Sequence, residues 1–128
     1  ESKRKVYRCV VWCSRPLLSS NDPHLVRLND IKDLTIVQKT PLRVLHRRTL
    51  MERHRVVHAL RAERINAHWL LVDLETSSGT YVKEFIHGDM GRTVPHFGML
   101  LRGTTDIIQL DVLDLLENDG APPTDNSV

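Results

Sequence analysis

Aromatic side chains make up only 5% of this 128-residue sequence, so its core has to be built from Leu, Val and Ile rather than from large rings. Cysteine is scarcer still. Cys9 and Cys13 are the only two, too few for a disulfide framework, and a lone pair four residues apart is not a zinc-site pattern. On a strand both would lie on one face as small buried hydrophobes. No apolar run reaches the ~20 residues that a membrane-spanning helix needs, and the opening residues do not make a signal peptide. These absences lead to the expectation of an intracellular protein without membrane contact, in the nucleus, cytoplasm or mitochondrion. The charged opening runs straight into a strand pattern, as if the chain were cut from a larger protein.

What is present is 41% hydrophobic residues, enough for one modest core and one domain, and an uneven charge distribution under a formal net charge of +2. Between residues 39 and 64, eight Lys or Arg stand against two Glu. From residue 106 onward there are six Asp or Glu and no Lys or Arg. A basic block beside an acidic end suits a face that binds a polyanion, although a merely solvated charged face reads the same way.

Periodicity gives the elements. Residues 5–13 alternate and are rich in Val, Tyr and Trp, which predicts a strand with Val6, Arg8, Val10 and Trp12 on one face and Tyr7, Cys9, Val11 and Cys13 on the other. Asp22-Pro23 offers an N-cap and a first-turn proline for a short helix carrying Leu25, Leu28 and Ile31 and ending near Asp33. A brief strand is expected at 34–37. Two β-rich runs at 55–65 and 68–76, joined by Asn66-Ala67, predict a hairpin. Ser77-Ser78-Gly79-Thr80 is a turn opening a helix whose apolar stripe is Val82, Phe85 and Ile86, with Gly91 at its C-terminal end. A loop or short helix then leads to a last strand at 107–115. The fold class is α+β, a mixed, largely antiparallel sheet with few helices. Residues 1–117 form the folded part and 118–128 an acidic tail expected to be disordered.

The strand, then Ser78-Gly79-Thr80-Tyr81-Val82-Lys83, then a helix, resembles the last shared motif of the pseudouridine synthases. A glycine permits the tight turn, and Lys83, in the first helical turn, can point into a cleft. Two longer strings narrow the resemblance: Ile36-Val37-Gln38-Lys39-Thr40-Pro41-Leu42-Arg43-Val44-Leu45-His46-Arg47-Arg48, and Gly79-Thr80-Tyr81-Val82-Lys83-Glu84-Phe85-Ile86-His87-Gly88-Asp89 continued by Met90-Gly91-Arg92-Thr93. Together with Tyr7-Arg8 they resemble the archaeal and eukaryotic tRNA pseudouridine synthase ten family over residues 5–115.

The resemblance implies the C-terminal part of a catalytic domain that isomerises uridine to pseudouridine in the TΨC arm of tRNA, with no metal or organic cofactor. By resemblance Tyr7 stacks on the target uracil, and Lys83 pairs with the catalytic aspartate. Val82 packs against the base or the aspartate's strand, and Arg43, His46, Arg47 and Arg48 lie along the RNA. The family's aspartate sits in a Gly-Arg-x-Asp-like segment before the tyrosine strand, and this sequence has no such segment. Asp89 belongs to the matched helix and is expected to be structural. The catalytic carboxylate is therefore expected outside this chain, in the remaining N-terminal part of the same enzyme, and this chain alone is expected to be inactive. A cut sheet should also leave an exposed apolar edge beside Tyr7 and Lys83, inviting a homodimer through the strand that holds Tyr7.

Three other readings compete. His54 and His58 are four apart, but no third ligand has convincing spacing, so a metal site is not expected. Ser77-Ser78-Gly79 lacks a nucleophile-elbow pattern, which speaks against a hydrolase. The serious alternative is a non-catalytic RNA-binding module or partner subunit, which would need only surface cations.

Overall fold

The computed structural model describes residues 3–116; the acidic tail expected at 118–128 lies outside the described residues. Nine elements follow one another: β1 (Arg4–Cys13), α1 (Pro23–Leu28), β2 (Lys32–Lys39), β3 (Glu52–Arg64), β4 (Trp69–Ser77), α2 (Val82–His87), β5 (Thr93–Val94), α3 (Phe97–Leu101) and β6 (Thr105–Leu116). The strands form one sheet in the order β5-β2-β3-β4-β1-β6. Every pairing described is antiparallel, so the sheet is not mixed.

Strand alternation gives the sheet a dry face and a wet one. Tyr7, Cys9, Val11 and Cys13 of β1 are buried beside Leu70, Val72 and Leu74 of β4. Burial pushes the Cys9 thiol up to about 12, which leaves it an inert apolar filler. On the opposite face Arg8 grips Asp73 at 2.8 and 3.1 Å, and Arg4 donates to Glu75 at 2.9 Å. All three α-helices close over the dry face through Leu25 and Leu28, Phe85 and Ile86, and Phe97 and Leu101. Phe85 and Phe97, the only two phenylalanines, meet edge-on at 6.5 Å between α2 and α3. An aromatic-poor core thus places both of its phenylalanine rings where helices pack on each other. Fully burying each such side chain is worth roughly 1.5–3 kcal/mol.

The helix ends depart from expectation in instructive ways. Asp22 does cap α1, accepting from the N–H groups of His24 and Leu25 at 3.2 and 3.1 Å. The helix stops at Leu28 rather than near Asp33, where the Asn29 side-chain amide closes it by donating to the Leu25 carbonyl at 3.1 Å and ties its end to the backbone of Ala62 at 2.8 and 3.0 Å. The end of α2 is Gly88, not Gly91: Gly88 is left-handed at φ 87° and its N–H returns to the Glu84 carbonyl. A β-carbon there would sit 2.6 Å from the His96 ring, so both backbone and space require glycine. Gly91 instead closes a following one-turn 3-10 helix, Asp89–Gly91. Among the described residues no helix is long and apolar enough to cross a membrane.

Candidate RNA-facing cleft

The turn between β4 and α2 is held from three sides. Thr80 donates its hydroxyl to the Ser77 carbonyl at 2.8 Å, and the Ser77 hydroxyl accepts the Val56 N–H at 2.9 Å. Gly79 takes φ 84°, the left-handed conformation that the sequence motif implied. Gln38, fully buried on β2, closes the third side. Its side-chain amide donates to the Tyr81 carbonyl at 2.9 Å, and its carbonyl accepts the Tyr81 N–H at 2.9 Å. This two-way bond copies a strand pairing and fixes the residue from which α2 departs.

With its first turn so fixed, α2 sends successive side chains to different fates. Val82 is buried in the core, so it faces packed side chains rather than open solvent. Lys83 is exposed and lines a depression of about 290 Å³ with Ile107, Ile108, Gln109 and Leu110 of β6. Among the described residues no carboxylate lies within ion-pair distance of Lys83. Glu84 turns inward, nearly fully buried, and accepts from Arg43 at 2.7 Å.

Tyr7 lies on the same dry face, paired across to Leu74 on one side and Val112 on the other. Val112 is two residues along β6 from Leu110, so Tyr7 and Lys83 border neighbouring stretches of that strand. Tyr7 is 8% exposed and presents only a rim of its ring. Burial, then Cys9, raises its phenol above the ordinary tyrosine value, so it stays neutral near pH 7. β6 is an edge strand, and Ile108, Val112 and Leu113 on it are exposed.

The basic string falls on the β2–β3 connection, residues 40–51, and divides in two. Thr40 closes the loop, exchanging hydrogen bonds with Met51, while its hydroxyl donates to the Thr49 carbonyl at 2.7 Å. Arg92 donates to the Thr40 carbonyl at 2.7 and 3.1 Å, and Asp89 accepts the Leu42 N–H at 3.0 Å. Asp89 therefore has the structural part expected of it. Arg43 is spent on Glu84 and sits 5.9 Å from the centre of the Tyr81 ring, so the geometry makes it an anchor of the loop. His46, Arg47 and Arg48 stand exposed at the loop tip beside Leu45 and Leu50.

Sequence reasoning passed over Gln38, Thr40, Glu84 and Arg92 as functional supports. A signal existed for the first two. They continue the buried register of Ile36 at two-residue spacing, and a polar side chain in that register must find a partner. Of the competing sites, His58 bonds to Asp33 at 2.7 Å, and the described residues hold no group of three His, Cys, Asp or Glu placed for a metal.

Fold and site together place the chain among known proteins in two steps. Its fold matches a chain in the crystal structure of a Cbf5-Nop10-Gar1 complex with a TM-score of 0.63, over 91% of this chain and 32% of that one. At 19% identity the match shows the fold alone. The family model described as Pus10, C-terminal, matches residues 1–115, and the chain belongs to that family. It is 44% identical to the tRNA pseudouridine synthase Pus10 of Homo sapiens over 98% of its length, and 37% identical to that of Methanocaldococcus jannaschii over 90%. It spans only 23% and 25% of those two relatives.

Proposed function

We propose that this chain is the C-terminal part of a tRNA pseudouridine synthase, framing the site and holding RNA for a carboxylate supplied from outside it. Family membership supports the reading. The single observation that carries it is that an exposed Lys83 without an ion-pair partner and the rim of Tyr7 border neighbouring stretches of β6, within residues 107–112.

The chemistry is an isomerisation, so atoms balance without a co-reactant. The bond between uracil N1 and the ribose carbon breaks, the base turns, and C5 takes its place, losing its proton while N1 gains one. An aspartate entering beside Lys83 would be kept ionised and aligned by the ammonium. The Tyr7 rim would pack on the base; as a neutral phenol it acts by contact rather than as a phenolate. His46, Arg47 and Arg48 would meet phosphates on the RNA backbone, with Arg43 fixing the loop that carries them. By family resemblance the substrate would be a uridine in the TΨC arm of tRNA, and the workplace the nucleus, cytoplasm or mitochondrion.

The test is pseudouridine formation in a tRNA transcript by the full-length protein. Lys83→Ala is expected to lower the rate about 100-fold or more, Tyr7→Phe, which keeps the ring contact, to stay within about 10-fold of the unmutated rate, and the isolated chain should give no product. An active Lys83→Ala variant would end the reading. An inactive parent that still binds tRNA with affinity dependent on Arg47 and Arg48 would replace it with the RNA-binding module.

A further inference from the structure

Away from Tyr7 and Lys83, α1 and α3 enclose a groove of about 750 Å³ that the reaction does not use. Its floor is apolar, made by Leu28, Ile31 and Leu100, with Met99 half-exposed at the side. Its rim carries two guanidinium groups, Arg27 from α1 and Arg102 from the end of α3. No carboxylate lines it among the described residues.

The charge there is uncompensated for a specific reason. Asp22, at the start of α1, is consumed by Arg15 at 2.7 and 2.8 Å and by the opening N–H groups of the helix, and the exposed Asp30 beyond its end pairs with neither groove arginine among the described residues. Arg15 also donates to the Leu101 carbonyl at 2.7 Å, tying the start of α1 to the end of α3 and holding the groove open to a fixed width. Arg27 meets only the neutral ring of His24, at 2.8 Å from Nδ1. His24 registers the surroundings: burial first, then Arg27, Arg102 and Arg15, push it below the ordinary histidine value. Arg102 is left-handed at φ 66° and makes no ion pair among the described residues.

We infer that this groove binds a single-stranded segment of the RNA substrate, an unstacked nucleotide laying its base on Leu28, Ile31 and Leu100 and its phosphates against Arg27 and Arg102. Apolar floor and cationic rim match the two halves of a nucleotide. The placement favours RNA over an acidic protein segment. α3 packs against both α1 and α2 over the dry face of the sheet, the face that also carries Tyr7, so the groove lies on that side of the molecule. One RNA chain can occupy both. The inference rests on the proposed reading of that face as the substrate side.

The experiment measures tRNA affinity of the full-length protein by fluorescence anisotropy over a salt series, with pseudouridine formation by the unmutated protein followed in parallel. Arg27→Glu and Arg102→Gln are each expected to weaken binding by about 5- to 10-fold and to flatten the salt dependence by about one phosphate contact. Arg61→Gln, an exposed cation on the wet face, should bind as the unmutated protein does. Thermal melting establishes that each variant is folded. Unchanged affinity and salt slope in folded Arg27→Glu and Arg102→Gln overturn the groove assignment in favour of an acidic protein partner, even where pseudouridine still forms. Weakened binding by the two variants, together with an unmutated protein that forms no pseudouridine, keeps the groove and overturns the enzymatic reading instead.

Discussion

Lys83 and Glu84 are neighbours of opposite charge whose surroundings assign them opposite work. Lys83 keeps its ammonium in solvent over β6, while Glu84 is buried and depends on Arg43. Truncating Arg43 strands a carboxylate where water cannot reach it. Because half of the Arg43 side chain is exposed, the cost falls below that of a fully buried pair, on the order of 2 kcal/mol. Arg43→Ala is therefore expected to lower the midpoint of urea unfolding, whereas Lys83→Ala should leave it unmoved and act on turnover alone. Equal midpoints for Arg43→Ala and the unmutated protein would return Arg43 to the RNA-facing group in which sequence placed it. Nothing in a one-dimensional string distinguished the two cases. The partner of Arg43 lies 41 residues away, and a basic cluster looks the same whether its members face phosphate or a buried glutamate.

The elements show where local chemistry suffices and where it fails. β1 and the start of α1 were readable because their signals are local: alternation for one, Asp22-Pro23 for the other. The end of α2 was not, because Gly88 and Gly91 are both left-handed and only the His96 ring above Gly88 tells which one must be glycine for space. Gly88→Ala should cost at least about 2 kcal/mol, from backbone strain and the 2.6 Å approach together, while Gly91→Ala carries only the strain. Comparing the two melting curves checks this. The cap of α1 makes a second prediction, in pH. Arg15 above all, with the helix N–H groups, lowers the Asp22 carboxyl from 3.8 to about 2. A carboxylate depressed on folding stabilises fully above its unfolded value, and that stability fades as pH falls from about 4 towards 2. The contribution is roughly 2 kcal/mol. Asp22→Asn should lower stability at neutral pH and narrow the gap to the unmutated protein in acid; a constant gap across that range would place the pair's effect elsewhere.

At the scale of the whole molecule, the sheet ends on one side in the two-residue β5 and on the other in β6, twelve residues long. A short edge offers little to pair with. A long one exposes a row of backbone donors and acceptors, and β6 adds exposed Ile108, Val112 and Leu113. The sequence implied such an edge beside Tyr7 and Lys83 and put it on the strand holding Tyr7; that strand, β1, is instead interior, inserted between β4 and β6 by pairings far apart in the chain, and the edge falls on β6. On the proposed reading this edge would seat the part that brings the aspartate, because it borders the lysine that would receive it. Isolated, the chain has only a second copy to offer. Sedimentation of the isolated chain should therefore show self-association that grows with concentration. Val112→Lys should suppress it by placing like charges opposite one another in the paired edges, without lowering the melting temperature, since Val112 is 65% exposed. A monomer at every concentration would mean that the Asp residues already on β6, Asp106 and Asp111 among them, are charge enough to keep two such edges apart.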